Sequence, residues 1–281
     1  MNIFLERIMT DALEADEGTV STGGRAITNL RFADDIDGLA GEKEELAKLV
    51  ERLDKASTAY GMEIRAEKTK LMTNNTSGIN TKMKRDGQEL ETVTSFKYLG
   101  SFITDEGSKP ELSRIAQITA ALTRLKLVWN DRSIPLSSKT QLMRSLVTSI
   151  FLHACESWTL TVMLQRRIQA MEMRCYRKIL RISYEGHVIN EEVHAKIQQT
   201  IGPHADLLTI VKGRKLHWYG HVSNSSGLAK AILQGTVKGE RRQSRQRKRW
   251  EDNIREWTGL EFAKSQRAVE NRGKWRKLVA K

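Results

Sequence analysis

The stretch NLRFADDIDGLA, Asn29 to Ala40, sets two carboxylates side by side, Asp34 and Asp35, between short apolar segments. Ile27, Leu30 and Phe32 precede the pair, and Ile36, Leu39 and Ala40 follow it. Two short apolar segments around a compact polar tip predict a β-hairpin. Asp suits such a tip because its carboxylate accepts local backbone N–H bonds. The residues alone leave two readings open: a plain polar turn, or a clamp for a divalent cation whose further ligands lie elsewhere.

Outward from the hairpin, the patterning predicts an α+β front part and a helical rear. Residues 1–18 read as a helix with Ile3, Phe4, Ile8, Ala12 and Ala15 on one side. Residues 42–60 read as a helix on the spacing of Leu46, Leu49, Val50, Leu53 and Tyr60; Glu42, Glu44 and Glu45 suit its positive end and Gly61 stops it. Met62-Glu63-Ile64 and Leu71-Met72 are expected as short strands, residues 73–88 as an exposed connection, and Phe96 to Ile103 as a strand or hairpin. Leu112, Ile115, Leu122, Leu125 and Trp129 then keep a helical period. So do Leu142, Met143, Leu146, Val147, Ile150 and Phe151, behind a cap at Ser137 or Ser138. Across 162–182, Leu164, Ile168, Met171, Cys175, Ile179 and Ile182 gather on one side of a helix. Arg166, Arg167, Arg174, Arg177, Lys178 and Arg181 gather on the other. Residues 183–211 carry weak patterns, with a turn at Gly202-Pro203. Trp250, Ile254 and Trp257 share a helix face that ends at Gly259.

Charge separates the two ends of the 281-residue chain. Residues 1–110 hold 15 Lys/Arg against 20 Asp/Glu, residues 111–211 hold 13 against 8, and residues 212–281 hold 19 against 6. The last segment's excess equals the whole chain's net +13, which predicts a polyanionic partner. Arg241, Arg242, Arg245, Arg247, Lys248 and Arg249 form its densest run, suited to phosphate contact or nuclear localisation. No apolar run approaches a membrane span, and two cysteines, Cys155 and Cys175, make no disulfide framework. His217 and His221 lie at i, i+4, yet without CxxC or a neighbouring cysteine no zinc site is expected.

RFADDIDGLA resembles the catalytic hairpin of reverse transcriptases from non-LTR, LINE-type retrotransposons. The order of segments carries the resemblance further: ASTAYGMEIRAEKTKLM (Ala56–Met72), then SFKYLGSFIT (Ser95–Thr104), similar to the palm segment after the hairpin and to the primer grip. SLVTSIFLHACESWTL, MEMRCYRKILRIS, KLHWYGHVS and RQRKRWEDNIREWTG also resemble the endonuclease–reverse transcriptase relatives of that group. The resemblance implies a partial palm over residues 1–110, a thumb-like helical domain over 111–185 and a basic nucleic-acid-binding region over 186–281. It implies Mg²⁺ or Mn²⁺ at Asp34 and Asp35, with Asp34 in direct coordination and Asp35 assisting. It also implies a role for Lys68 at the leaving pyrophosphate, a primer-grip-like strand at Phe96, Tyr98, Leu99 and Gly100, an RNA template and a DNA primer or target. For Phe96 and Leu99 the residues themselves favour core packing in a strand, and Lys68 reads equally well as a surface lysine.

The family pattern departs at the front. A third metal-binding aspartate and a nucleotide-selecting loop are expected upstream of the hairpin. Asp11, Glu14 and Asp16 stand in the wrong context, and Asp37 is a poor replacement. The expectation is therefore a polymerase fragment, catalytically incomplete alone. The alternatives are a non-catalytic nucleic-acid-binding remnant and a chain with unpartnered sheet edges and no stable fold.

Overall fold

The computed structural model describes residues 2–13, 18–73, 83–85, 88–104, 110–235 and 248–280. Helix α1 (Asn2–Leu13) leads into strands β1 (Ser21–Thr22), β2 (Arg25–Ala26), β3 (Asn29–Phe32) and β4 (Asp35–Gly38). Helix α2 (Lys43–Ala59) precedes β5 (Lys70–Leu71), β6 (Lys84–Arg85), β7 (Gln88–Glu89), β8 (Glu91–Thr92), β9 (Ser95–Tyr98) and β10 (Ser101–Thr104). The helices that follow are α3 (Pro110–Arg124), α4 (Lys126–Asn130), α5 (Leu136–Leu142), α6 (Ser149–Leu152), α7 (Val162–Leu180), α8 (Asn190–Ile201) and α9 (Leu207–Ser223). Last come α10 (Leu228–Gln234), α11 (Trp250–Thr258), α12 (Phe262–Glu270) and α13 (Arg272–Val279). The class is α+β, and among the described residues every sheet has two strands: β1–β2, β3–β4, β5–β8, β6–β7 and β9–β10.

The chain divides into two compact units. The first comprises Met1–Tyr98, Ile103–Gly107 and Ser225–Ser244. Its frame is α1 packed on α2, with Ile8, Met9 and Ala12 buried. Ile3 and Phe4, expected on that apolar side, are instead exposed in the first turn of α1, before the buried stretch begins at Ile8. Leu46, Ala47 and Val50 of α2 pack with Leu71, Met83 and Leu90 beside the parallel pair β5–β8. Residues 62–65, expected to include a strand, form none: the Met62 N–H closes the end of α2 on Ser57 O at 2.9 Å and the Arg65 carbonyl accepts from the turn that follows.

The second unit comprises Leu99–Phe102, Ser108–Asn224 and Arg245–Lys281. Its core joins Ile118, Leu122, Trp129, Phe151, Trp158, Leu164, Ile168, Met171, Ile179 and Val211. Phe151 and Trp158 meet edge to face with centroids 5.0 Å apart. The period read over 112–129 is split at Leu125 into α3 and α4. The helix expected behind a serine cap starts at Leu136, with Pro135 in the cap position, so Ser137 and Ser138 fall inside its first turn. It passes through a π-helical stretch, Met143–Thr148, before α6. Helix α7 is capped by Thr161, whose hydroxyl accepts from Leu164 N–H at 3.2 Å. It buries the expected apolar side and a second one: Met173 and Tyr176 pack with Val193 and Ile197 of α8.

Helix α9 carries no single apolar stripe, because it is covered on several sides. Its Lys215, fully buried, donates to Trp158 O at 2.7 Å and to Asn253 Oδ1 at 2.8 Å, with its ammonium 4.3 Å from the Trp250 ring centroid. Asn253 also pairs both ways with Leu160, accepting from its N–H at 2.7 Å and donating to its carbonyl at 2.9 Å. Trp250 Nε1 donates to Glu156 O at 2.8 Å. Tyr219 Oη and Ser265 Oγ lie 2.6 Å apart, and Trp275 Nε1 donates to Leu216 O at 3.2 Å. A Cβ on Gly220 would stand 2.5 Å from that indole nitrogen, so only glycine lets α13 dock there. Each of α11, α12 and α13 is thus clipped to α9 by at least one polar contact.

Two predictions follow from Lys215 and Asn253. Asn253→Ala removes an acceptor from a buried ammonium and leaves both main-chain groups of Leu160 unmet; chemical denaturation is expected to show a loss of about 3–5 kcal/mol. Burial, with the charge of Lys248 adding to it, pushes Lys215 down to about 7 from 10.5. The unfolded chain therefore binds more protons than the folded one between those values, and stability rises with pH across that window. Denaturation at pH 7 and at pH 9.5 is expected to show that rise in the parent chain and its flattening in Lys215→Met.

Candidate functional site

The Asp pair sits where the alternation placed it. Strands β3 and β4 pair Asn29 with Gly38, Leu30 with Asp37, Arg31 with Ile36 and Phe32 with Asp35, leaving Ala33 and Asp34 as a two-residue loop. Ala33 has φ of 55°, a left-handed conformation costing a non-glycine residue about 1 kcal/mol. Cross-strand partners share a face, so Arg31, Ile36 and Gly38 form one side of the hairpin. That side is anchored: Arg31 pairs with Glu6 of α1 at 3.1 Å, and a Cβ on Gly38 would touch Leu49 of α2 at 3.2 Å. Leu30, Phe32, Asp35 and Asp37 form the other side, where Phe32 is 63% exposed.

The base of the hairpin is pinned by Glu45. Its carboxylate accepts from Thr19 N–H at 2.7 Å and from Gly41 N–H at 3.0 Å. Burial is the largest single influence and opposes the charge, but these bonds and the Thr19 hydroxyl together outweigh it and hold Glu45 below the usual carboxylate range.

Asp34 and Asp35 are exposed, and neither carboxylate has a hydrogen bond or ion pair among the described residues. Asp37 differs. Partial burial pushes it up, a hydrogen bond from the Tyr98 hydroxyl pulls it down, and the charge of Asp35 raises it again, with a net upward shift. Tyr98 is itself raised by burial and by Asp37 and Asp35. The structure thus brings Tyr98 to the carboxylate hairpin through Asp37, which the sequence reading set aside. The spacing Asp35-x-Asp37 on one strand held the signal, since alternate strand residues share a face. Among the described residues no three His, Cys, Asp or Glu side chains converge as a metal-binding group.

The other named residues are dispersed. Lys68 is exposed in a turn and forms no ion pair with Asp34, Asp35 or Asp37. Phe96 is half-buried in β9. Leu99, read as core packing, is instead 42% exposed, since it forms a tight turn with Gly100 at φ of 46° and 77°. On α7, Arg166, Arg167 and Arg174 are exposed. Arg177 is engaged internally, donating to Val188 O and Asn190 Oδ1, each at 2.9 Å; Arg181 caps the helix at φ of 55°, and Lys178 is half-buried. Lys248 pairs with Glu256, and Arg249 with Glu251 at 3.1 Å, so two cations of the basic run are balanced by α11 itself. Arg241, Arg242, Arg245 and Arg247 lie outside the described residues. Trp218 and Trp250 pack edge to face at 5.5 Å, and Trp257 stands under the Lys212 and Lys215 ammonium groups. Cys155 and Cys175 are buried free thiols, each pushed up to about 12, chiefly by burial.

The Asp37 environment makes a two-way prediction for carboxyl titration by NMR. Tyr98→Phe removes the donor that favours the charged form and is expected to move the Asp37 midpoint up. Asp35→Asn removes a like charge and is expected to move it down.

No family model matches the chain, and no solved structure matches it. It is 27% identical over 204 residues to a Caenorhabditis elegans protein named as transposon-derived and uncharacterized, covering 71% of this chain and 73% of that one. The similarity supports a transposon origin.

Proposed function

We propose that this chain derives from the reverse transcriptase of a LINE-type retrotransposon and that, acting alone, it binds nucleic acid. The observation that carries the reading is the hairpin: two unpartnered, exposed carboxylates at the end of a two-stranded ribbon whose opposite side contacts α1 and α2. The order of segments behind it and the transposon-derived relative support the same reading. In these terms residues 1–110 correspond to the end of a palm, 111–185 to a thumb and 186–281 to a basic region.

The donor set suits a hard divalent cation. Magnesium takes oxygen ligands and is commonly held by one or two carboxylates with substrate phosphates and water completing the shell. Asp34 and Asp35 would hold Mg²⁺ or Mn²⁺, which supplies charge stabilisation to the attacking and leaving oxygens of nucleotidyl transfer when bound. Phe32, exposed on the face of Asp35, offers an apolar surface beside a primer end. Lys68 would serve the leaving pyrophosphate only if carried to the hairpin by substrate. With a carboxylate pair and no converging third ligand among the described residues, templated synthesis by this chain alone is not expected. Binding is expected through the exposed Arg166, Arg167 and Arg174 and the basic residues 241–249, with an RNA template and DNA primer or target as partners and the nucleus as the site of action.

Primer extension on an RNA template with an annealed DNA primer, in Mg²⁺ or Mn²⁺, separates the outcomes. The expected result is no extension, with duplex affinity falling about a thousandfold between 50 and 200 mM salt if six or so phosphates are engaged. Extension that disappears in Asp34→Asn would instead make the chain a complete polymerase. Affinity indifferent to salt would overturn nucleic-acid binding.

A further inference from the structure

Three cations are buried in the second unit: Arg114, Lys139 and Lys215. None is paired with a carboxylate among the described residues. Lys139 and Lys215 are nonetheless satisfied. Lys139 donates to Trp129 O at 2.9 Å and to Asp131 O, closing the end of α4, and Lys215 has its carbonyl, amide and indole partners.

Arg114 is different. It is 7% exposed, and its five N–H donors meet two acceptors. Nη1 donates to Gln117 Oε1 at 3.1 Å and Nη2 to His153 Nδ1 at 2.6 Å, while Nε is sealed from solvent without an acceptor. Because a guanidinium only donates, His153 presents its Nδ1 lone pair to Arg114 and keeps its proton on Nε2. Both partners are therefore neutral, and burial alone shifts Arg114 downward, with no opposing charge. A buried guanidinium with an orphaned Nε–H is costly unless an anion completes it. Backbone stands close by: a Cβ on Gly100 would lie 3.1 Å from Arg114 Nη2, so glycine lets the Leu99-Gly100 turn approach the guanidinium this closely. His153, which takes Nη2, is exposed, and Nη2 shares with Nε the edge of the guanidinium whose paired donors match two phosphate oxygens.

We infer that Arg114, with His153 and the Leu99-Gly100 turn, is a phosphate subsite that takes one backbone phosphate of a bound nucleic acid. The nucleic-acid part of this inference rests on the reading proposed above; the anion site itself does not. Two readouts keep them apart. In the first, the thermal midpoint of the full chain is followed as inorganic phosphate replaces chloride at constant ionic strength. The parent midpoint is expected to rise. The rise is expected to vanish in Arg114→Gln and to shrink in Arg114→Lys, which keeps the charge but loses the fork. His153→Ala, which uncovers the edge and leaves the guanidinium in place, is expected to keep or enlarge it. In the second, duplex binding is measured against salt. Arg114→Gln is expected to reduce the log–log slope by about one and to remove about a 3-fold share of the affinity change between 50 and 200 mM salt. An equal phosphate response in parent and Arg114→Gln, or none in the parent and in His153→Ala, overturns the site. A phosphate response without duplex binding keeps the anion site and overturns its assignment to nucleic acid.

Discussion

A lysine without a counter-ion holds the second unit together. Removing an ammonium from water costs several kcal/mol, and that cost is offset only where oxygen acceptors and an aromatic face are already in position. Lys215 finds them in three places: the carbonyl of Trp158, the amide of Asn253 and the indole of Trp250. Those groups belong to different parts of the chain, so the charge can be accommodated only when α9, α11 and the 156–160 segment are together. Asn253 reinforces the join by giving Leu160 both hydrogen bonds a neighbouring strand would have given it. With α11 fixed, Tyr219 and Gly220 can receive α12 and α13 along the same helix.

The carboxylate hairpin obeys a different constraint. It is a two-stranded ribbon, a form marginal in isolation, so its placement depends on what one side touches. Arg31, Ile36 and Gly38 turn toward helices, and Glu45 gathers the two chain ends at its base. The alternation that commits these residues to one side puts Asp35, Asp37 and Phe32 together on the other. Acidity at the tip is thereby a consequence of anchoring on the first side, and Tyr98 meets the second at Asp37.

How much of this was legible follows from how each element is buried. The hairpin, α2 and α7 were readable because each has one committed face, which imprints a period of two or of about 3.6 on the residues. Helix α9 was not readable as an element, because cover on several sides leaves no stripe, and its one buried charge looks in sequence like any surface lysine. The second apolar side of α7, Met173 and Tyr176, was hidden among arginines for a related reason: α8 covers it narrowly. The turn at Leu99 was misread as core because nothing in leucine announces a positive φ. Arg114 and His153 were invisible as a pair, being 39 residues apart. The basic run was legible as charge but not as geometry, since Glu251 and Glu256 of α11 hold Arg249 and Lys248 to the protein itself.

The Leu160–Asn253 pairing spans 93 residues, and it sets the order in which the molecule can be made. A ribosome delivers Lys215 long before Asn253, so the α9 ammonium must wait in water, and α9 with it, until the last helices emerge. A stop codon anywhere between them would therefore do more than trim a tail. It would leave the Lys215 ammonium in water and remove the join that draws α9, α11 and the 156–160 segment together. The residues made last thus supply the acceptors that the middle of the chain needs, and the helical unit is complete only with its C-terminal helices.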